Sequence, residues 1–473
     1  MAARRCPRGV AAGVTRRGAA RGSTTSARAV AAEHHAELAA VNASWDRLGR
    51  WLAEGDGDGG LEAGLQVAYC RMGPADVRGI VSASGAGERD RLLAVPMSKA
   101  LLEGVTEGLD PPFGGAPWPL AFGARLLRER ALGEASAMAP YVDILPTTVE
   151  SPLALPLASA EAELQYAPAL AALRELHALV DLASENAAGD GGRDEWRWAV
   201  AAVLSRTLRM RGQRMMLPAV DMLNHGGEQK NITVGVARGV WDTGPGAGTV
   251  LVLATREVAP GEQVLFTYGN DRSNDDFFLY YGFVLAGNPN DTFVLFSSVR
   301  EAVEWHGGGG GGAAAAAERA TAEALGQASA GELGEAFPRA PLRTMGASGD
   351  EASEFVRAPF RLHLDAIGGA EDVVQPAPEM ILRADGKVDA RLLAAFAALA
   401  PEGEDPGRHA ASRVRDAASE ALGQFPTTEA QDTELLEAGG FATWPDELLV
   451  AYRREKKRVL AQVVEACDRA LGS

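Results

Sequence analysis

Asp221-Met222-Leu223-Asn224-His225 and, further along, Tyr280-Tyr281-Gly282-Phe283 are the two stretches on which the reading of this chain turns. Between them run Gly261-Glu262-Gln263-Val264, then Tyr268-Gly269, then Arg272-Ser273-Asn274. Taken singly, each piece has an ordinary explanation. An Asn-His pair before two glycines is a common way to end a helix, and paired tyrosines are usually core. The order and spacing of all the pieces carry the weight.

Bulk properties narrow the setting. The chain has 473 residues, 47% of them hydrophobic, and a formal charge of −17. That length accommodates two domains, each with a sizeable core. Residues 1–32 differ from the rest: they hold Arg4, Arg5, Arg8, Arg16, Arg17, Arg21 and Arg28, several Ser and Thr, and no acid before Glu33. Arg-rich, acid-free composition is that of an organellar transit peptide, expected to be disordered; a basic tail or an early start codon is the bland alternative. Taking those seven arginines from −17 leaves about −24 for the rest. Such a body repels phosphate backbones, which argues against nucleic acid as a partner. No run approaches the roughly 18 apolar residues needed to span a bilayer, so no membrane is expected. Cys6, Cys70 and Cys467 form no CxxC pair, and the histidines have no metal-ligand spacing beyond His34-His35, so no metal is expected.

Hydrophobic periodicity gives the organisation. Leu38, Val41, Trp45, Leu48 and Leu52 recur at helical steps and predict a helix over 33–53. Short strand-like runs follow at 65–69, 79–81 and 92–95, each punctuated by Gly or Pro. Residues 120–200 read as a helical insertion broken by Pro140, Pro146, Pro152 and Pro156. Strands return at 232–234, 249–253 and 264–266. After Arg300 the texture changes: Gly307 to Ala317 is low-complexity sequence, a flexible loop running into a helix. Leu392, Leu393, Phe396 and Leu399 then form one stripe. A last helix opens with Thr443 and Asp446 in capping-box spacing and carries Leu448, Leu449, Tyr452, Val459, Leu460, Val463 and Cys467 on one face. The expected class is α+β. A β-rich domain of short strands occupies 33–300, interrupted by helices, and a separate all-α domain occupies 301–473.

These stretches together resemble the Rubisco large-subunit methyltransferase class of SET proteins, from about residue 64 onward. The strips that carry the resemblance come in order: Arg78-Gly79-Ile80-Val81 with Leu92 to Pro96; Ala139-Pro140-Tyr141 to Pro146; Ser205-Arg206; Leu217-Pro218 to His225; Gly261 to Phe283; Asn288-Pro289-Asn290-Asp291; and Tyr452 to Lys457. Many SET enzymes that act on histones carry zinc-binding cysteine clusters, which this chain has no cysteines to build. A departure from the class stands at Gly226-Gly227, where serine often follows the histidine.

The resemblance implies a SET domain with a pseudoknot and S-adenosyl-L-methionine as cofactor. It also implies a C-terminal helical domain that docks a protein substrate through its lysine side chain. Methyl transfer requires the cofactor clamped, the acceptor aligned and its nitrogen neutral. By the same resemblance, Arg78, Gly79 and Ile80 would meet the cofactor through backbone, a place where glycine allows close approach. Arg206 would offer a guanidinium to the cofactor carboxylate, with Asn224 and His225 completing that site. Asp221, Tyr268 and Phe293 would face the substrate. Tyr281 would be the catalytic phenol, protonated at neutral pH because phenols titrate near 10. Each has a bland alternative: a turn glycine, a solvated arginine, a surface carboxylate, a core aromatic. The related class that methylates a histidine lacks tyrosine at the position of Tyr281, which favours lysine. The expectation is a protein-lysine methyltransferase acting on a non-histone, stromal protein such as the Rubisco large subunit, in the chloroplast. The rivals are a histidine methyltransferase in the cytoplasm and a SET-fold binding module without turnover.

Overall fold

The computed structural model describes residues 24–54, 59–62, 64–72, 75–102, 117–186, 192–210, 213–237, 248–269, 271–307, 312, 315–322, 379–441 and 443–472. Its chain divides into two compact units. One draws on residues 1–149 and 186–270, the other on 150–185, 271–342 and 352–473. The units interleave along the sequence, whereas the hydrophobic patterning suggested a single boundary at residue 300. The helical insertion is shared: Trp118–Leu132, Ala139–Val142 and Arg193–Arg206 lie in the first unit, and Leu157–Glu163 with almost all of Ala167–Asn186 in the second. Periodicity reports that a helix buries a face, not which core receives it.

The first unit opens with a helix over Thr24–Ala53. It starts nine residues before the expected position, inside the segment expected to be disordered. Its opening turns are rich in alanine with Arg28 among them, residues that favour helix. The leader before Thr24 lies outside the described residues. Trp45 donates its indole N–H to the Leu65 carbonyl at 3.0 Å. Asn42 pairs with both backbone groups of Val67, each at 3.0 Å. These contacts cover the open side of strand β2 (Leu65–Met72), which pairs with β3 (Ala75–Ser82) and then β11 (Glu262–Gln263) in a three-stranded sheet. Satisfying an edge strand with side-chain amides protects it from pairing with another chain. A four-stranded antiparallel sheet runs β1 (Gly60–Leu61), β4 (Arg91–Pro96), β10 (Thr249–Ala254), β9 (Ile232–Ala237). A third sheet joins β5 (Leu101–Leu102), β7 (Gln213–Met216) and β6 (Thr207–Met210). Ile80, Leu93, Val95, Val250, Val252 and Val203 are buried in one core with Trp45 and Leu48. Each such side chain contributes about 1.5–3 kcal/mol on leaving water. The strands expected from the sequence are all present, mostly longer by one to four residues at an end, except that 264–266 shortens to β12 (Leu265–Phe266), just after β11.

The second unit is mostly helical but not wholly so. Met380–Arg383 forms a strand, β14, antiparallel to β13 (Thr292–Phe296). The all-α expectation for 301–473 is corrected here, because the partner that makes a strand of Met-Ile-Leu-Arg lies some ninety residues upstream. The final helix, Trp444–Leu471, has its expected cap: the Asp446 carboxylate accepts from the Thr443 backbone at 3.2 Å and from its hydroxyl at 2.8 Å. All seven apolar residues expected on its inner face are buried.

The same helix also buries Arg453, Glu455, Lys456 and Lys457. Lys456 donates to Asp275 at 2.5 Å, and to Asp291 and the Thr292 carbonyl at 2.8 Å. Tyr452 donates its hydroxyl to the same Asp275. Both carboxylates are almost wholly enclosed, so one ammonium balances two acids away from water. Breaking a buried pair by removing one partner costs about 3–5 kcal/mol. Lys456→Met is expected to lose that much in urea unfolding of the full chain. A loss below about 1 kcal/mol would mean the carboxylates find protons or water instead.

Candidate active site

Two groups of residues carry chemistry, one in each unit. In the first, the organising piece is the parallel pairing of β8 (Asn224–His225) with β12: Asn224 opposite Leu265 and His225 opposite Phe266. Gly226 continues it by donating to the Phe266 carbonyl at 2.7 Å. Asn231, fully buried, ties the two segments together. Its amide donates to the Gln263 carbonyl and its oxygen accepts from Leu265 N–H, both at 2.8 Å. The glycine that departs from the family pattern has a local reason, since a Cβ at Gly226 would lie 2.7 Å from the Leu265 Cβ.

Around this pairing stand most of the residues singled out from the sequence. Asn224 donates its amide to the Arg78 carbonyl at 3.0 Å. A Cβ at Gly79 would meet the amide nitrogens of Asn224 and Gln263, each at 2.5 Å, so glycine at this strand position makes room for two side-chain amides. Ile80 is different: its side chain is fully buried in the core and its carbonyl accepts from Val264. His225 is buried, and its Nδ1 accepts from the Tyr268 backbone N–H at 3.0 Å, which places the proton of the neutral ring on Nε2. Tyr268 packs its ring on His225 and donates its hydroxyl to the Leu223 carbonyl at 2.9 Å. The tyrosine expected to line an acceptor channel is therefore also a tie between the Asn224 strip and the segment paired with it.

Asp221 departs furthest from expectation. Its side chain has no exposed surface. It accepts from the Tyr141 hydroxyl at 2.8 Å, and Arg206 lies 3.5 Å away while also donating to the Asp221 carbonyl at 3.0 Å. A wholly enclosed carboxylate has no face to offer an acceptor, so its part is to hold Arg206. The turn that carries it, Val220–Met222, follows Ala219 at φ 68°, a conformation that non-glycine residues seldom adopt. Burial raises the Asp221 carboxyl above the usual carboxylate range, against the pull of Arg206 and the Tyr141 hydrogen bond. Tyr141, 80 positions away, lies in a strip singled out from the sequence, but nothing there marked it as the partner of Asp221.

Arg78 sits close enough to Arg206 that burial and, next, the Arg206 charge lower its pKa. Two guanidinium groups repelling each other at a half-buried site are suited to an anion. The hydrogen-bonding inventory agrees: the buried Nε of Arg206, Nε2 of Gln263 and Oδ1 of Asp221 have no protein partner. Two orphaned donors beside paired cations fit a carboxylate. That is the donor set a carboxylate-bearing ligand would satisfy. Among the described residues no group of three His, Cys, Asp or Glu could hold a metal ion, and no helix is long and apolar enough to cross a membrane.

In the second unit the short helix Asn274–Asp276, capped by Ser273, runs directly into a π-turn over Phe277–Tyr281. Asn274 is completely buried, donating to Asp291 and to the Leu285 carbonyl, each at 3.0 Å. That network anchors the turn, and π-turns recur where a side chain must be re-aimed. Tyr281 ends it. Burial raises its phenol pKa, opposed by the charge of Arg272, so the phenol keeps its proton at neutral pH. Arg272 stands 5.6 Å from the Tyr281 ring centre and 3.8 Å from Asp276. Asp276 is pushed up to about 7 by burial, with Arg272 opposing and Asp275 and Asp271 adding to the rise. Arg272 stood in a strip singled out from the sequence, but its pairing with Asp276 did not show, because an acid and a base four apart usually form a solvated pair. Phe293 belongs to the core of this unit. It is buried, with its ring 4.8 Å from Tyr166 and 6.4 Å from Phe425. The substrate-facing position expected for it gives way to an aromatic cluster, since strand β13 turns that side chain inward.

Similarity to solved structures now adds to this geometry. The chain is similar to a crystal structure of the SET domain of LSMT bound to lysine and AdoHcy, at 19% identity and a TM-score of 0.56, covering 91% of each chain. It is similar to the same domain bound to MeLysine and AdoHcy at 17% identity and a TM-score of 0.56, covering 91% of this chain and 92% of that one. The structure of Rubisco LSMT bound to AdoMet matches at 19% identity and a TM-score of 0.52, with the same coverage. No family model matches the chain, and neither does any curated protein sequence. The fold is that of SET-domain proteins followed by a mainly helical C-terminal region.

Asp221 offers a direct test of the buried network. Asp221→Ala orphans the Tyr141 hydroxyl and leaves Arg206 without its counter-charge, an expected loss of about 3–5 kcal/mol. Asp221→Asn keeps an acceptor for Tyr141 and is expected to lose well under half of that in urea unfolding. Equal losses would show that charge, and not the hydrogen bond to Tyr141, dominates at this site.

Proposed function

We propose that this chain is an S-adenosyl-L-methionine-dependent protein-lysine N-methyltransferase of the SET class, acting on a non-histone protein of the chloroplast stroma such as the Rubisco large subunit. The observation that carries the reading is the donor set of the first unit. Its orphaned Arg206 and Gln263 nitrogens stand beside Asn224 and Arg78, in a fold shared with proteins crystallised with AdoMet or AdoHcy. When bound, that cofactor supplies an electrophilic methyl group on a cationic sulfur.

The residues divide the work as follows. Arg206, held by the enclosed Asp221, would take the cofactor carboxylate. Asn224 and Gln263 close against strand β3 at Gly79, where no side chain intervenes. His225 fixes the strip by accepting from Tyr268. Tyr281 orders the acceptor amine. Its un-ionised phenol can accept an amine N–H, leaving the nitrogen lone pair free for in-line attack. The acceptor's ammonium proton leaves beforehand, a loss that a neighbouring cation promotes.

Tyrosine at 281 favours a lysine acceptor over histidine by the family pattern, and two of the similar structures hold lysine or MeLysine. The stromal setting rests on the Arg-rich, acid-free leader. In this reading the mainly helical C-terminal region docks the protein that carries the lysine.

A transfer assay tests the proposal. Full-length protein is incubated with methyl-labelled S-adenosylmethionine and either purified Rubisco large subunit or stromal extract, with Tyr281→Phe in parallel. Wild type is expected to label a protein band on lysine. Tyr281→Phe is expected to fall by about 100-fold or more, the scale on which loss of acceptor alignment acts, while still binding cofactor. Label on histidine would favour the other enzyme class, and cofactor binding without label on any protein would favour a binding module.

A further inference from the structure

The π-turn that ends at Tyr281 carries a second device. Arg272 lies within cation–π reach of the Tyr281 ring, 5.6 Å from its centre, and the Asp276 carboxylate stands 3.8 Å from it. Both charged side chains are largely enclosed, at 14% and 19% exposure. Water therefore screens their interaction weakly. The Asn274–Asp291 network holds the backbone of this segment, so the pair has a fixed base on which to act.

We propose that Arg272 and Asp276 are the positioning pair of Tyr281: ionised Asp276 holds the guanidinium over the phenol ring, and a proton on Asp276 releases it. The groups facing Asp276 are Arg272, Asp275, Asp271 and Lys456, with Tyr280 and Tyr281 on the turn that follows. Burial and the two neighbouring acids outweigh the cations and place the carboxyl's titration at about 7. The direction follows. Above about pH 7 the carboxylate is charged, Arg272 is drawn in and the ring is restrained. Below it, Asp276 is neutral and its pull on Arg272 is gone, which leaves the weaker pull of Asp271. The folded-state value lies above the ordinary one, so the stability this group contributes is present at low pH and lost as pH rises through about 7. Restraint of Tyr281 is thus bought with stability, and it gives the turn a pH response in the neutral range. The inference rests on the proposed function only in linking Tyr281 to methyl transfer; the coupling within the turn stands apart from it.

Nuclear magnetic resonance of the full chain carrying ¹³C-labelled tyrosine reads the coupling without turnover. The Tyr281 resonance is the one missing from Tyr281→Phe. In wild type it is expected to shift with a midpoint near pH 7, and in Asp276→Asn that inflection is expected to vanish. Arg272→Met, which keeps the carboxyl, is the second variant; without the cation the midpoint is expected to move upward. A wild-type resonance with no inflection across neutral pH, an unchanged inflection in Asp276→Asn, or an unmoved midpoint in Arg272→Met would each overturn the proposal. In the transfer assay, Asp276→Asn is expected to lower kcat by about tenfold and to erase the step near neutrality, with KM for the protein acceptor little changed. If the resonance titrates as expected but wild type transfers no methyl group, the enzyme reading fails and the positioning pair stands.

Discussion

A single buried carboxylate organises the first unit. Asp221 has no exposed side-chain surface, and the groups that meet it come from two distant places: Arg206 at the end of the helix Arg193–Arg206, and Tyr141 on a short helix far upstream. Burying a charge is costly unless it is paired and hydrogen-bonded. The position of Arg206 is therefore not free, because it must stand where it neutralises Asp221. With the Arg206 guanidinium so placed, Arg78 is brought near it, and one face of the pair is left with donors that no protein group uses. The binding capacity of the site follows from an ion pair that the fold cannot do without.

The second unit repeats the logic with opposite sign. There a buried ammonium, Lys456, gathers Asp275, Asp291 and Tyr452. Asp291 bonds Asn274 and Asp275 follows it on the short helix that leads to Tyr281. The run Arg453-Arg454-Glu455-Lys456-Lys457 thus reaches Tyr281 through a chain of enclosed polar groups. Such networks are high-stakes: fully satisfied they rigidify, and partly satisfied they cost stability. Their enclosure also explains why an acid near the end of the chain of contacts, Asp276, titrates far from its ordinary range.

Much of the fold was legible in the sequence, for physical reasons. Short alternating runs such as Thr249–Ala254 can bury one face only as strands, and they do. The capping-box spacing of Thr443 and Asp446 marked the start of the last helix correctly. The Asn224-His225 strip and the Gly261 to Phe266 strip stood out, and the structure pairs them. What could not be read was long-range charge. Arg453 to Lys457 looks like a solvated basic run, yet four of its five residues are buried, because their partners at 163, 275, 291 and 432 are distant in sequence. Asp221 looked exposed for the same reason, since its pairing with Tyr141 spans 80 positions and leaves no local pattern. Phe293 was assigned to a channel by resemblance, whereas its strand carries it into an aromatic core. The interleaving of the two units was hidden because periodicity is local and the choice of core is not.

The orphaned donors around Arg206 are the proposed seat of the cofactor. Calorimetric titration of S-adenosylmethionine into the full-length protein and into Arg206→Met tests it most directly. The account predicts one site in wild type, and binding weaker by about 10–100-fold in the variant, the loss expected when a charge-assisted hydrogen bond worth about 1.5–3 kcal/mol is removed. No binding by a folded wild type, or equal affinity in Arg206→Met, would contradict it.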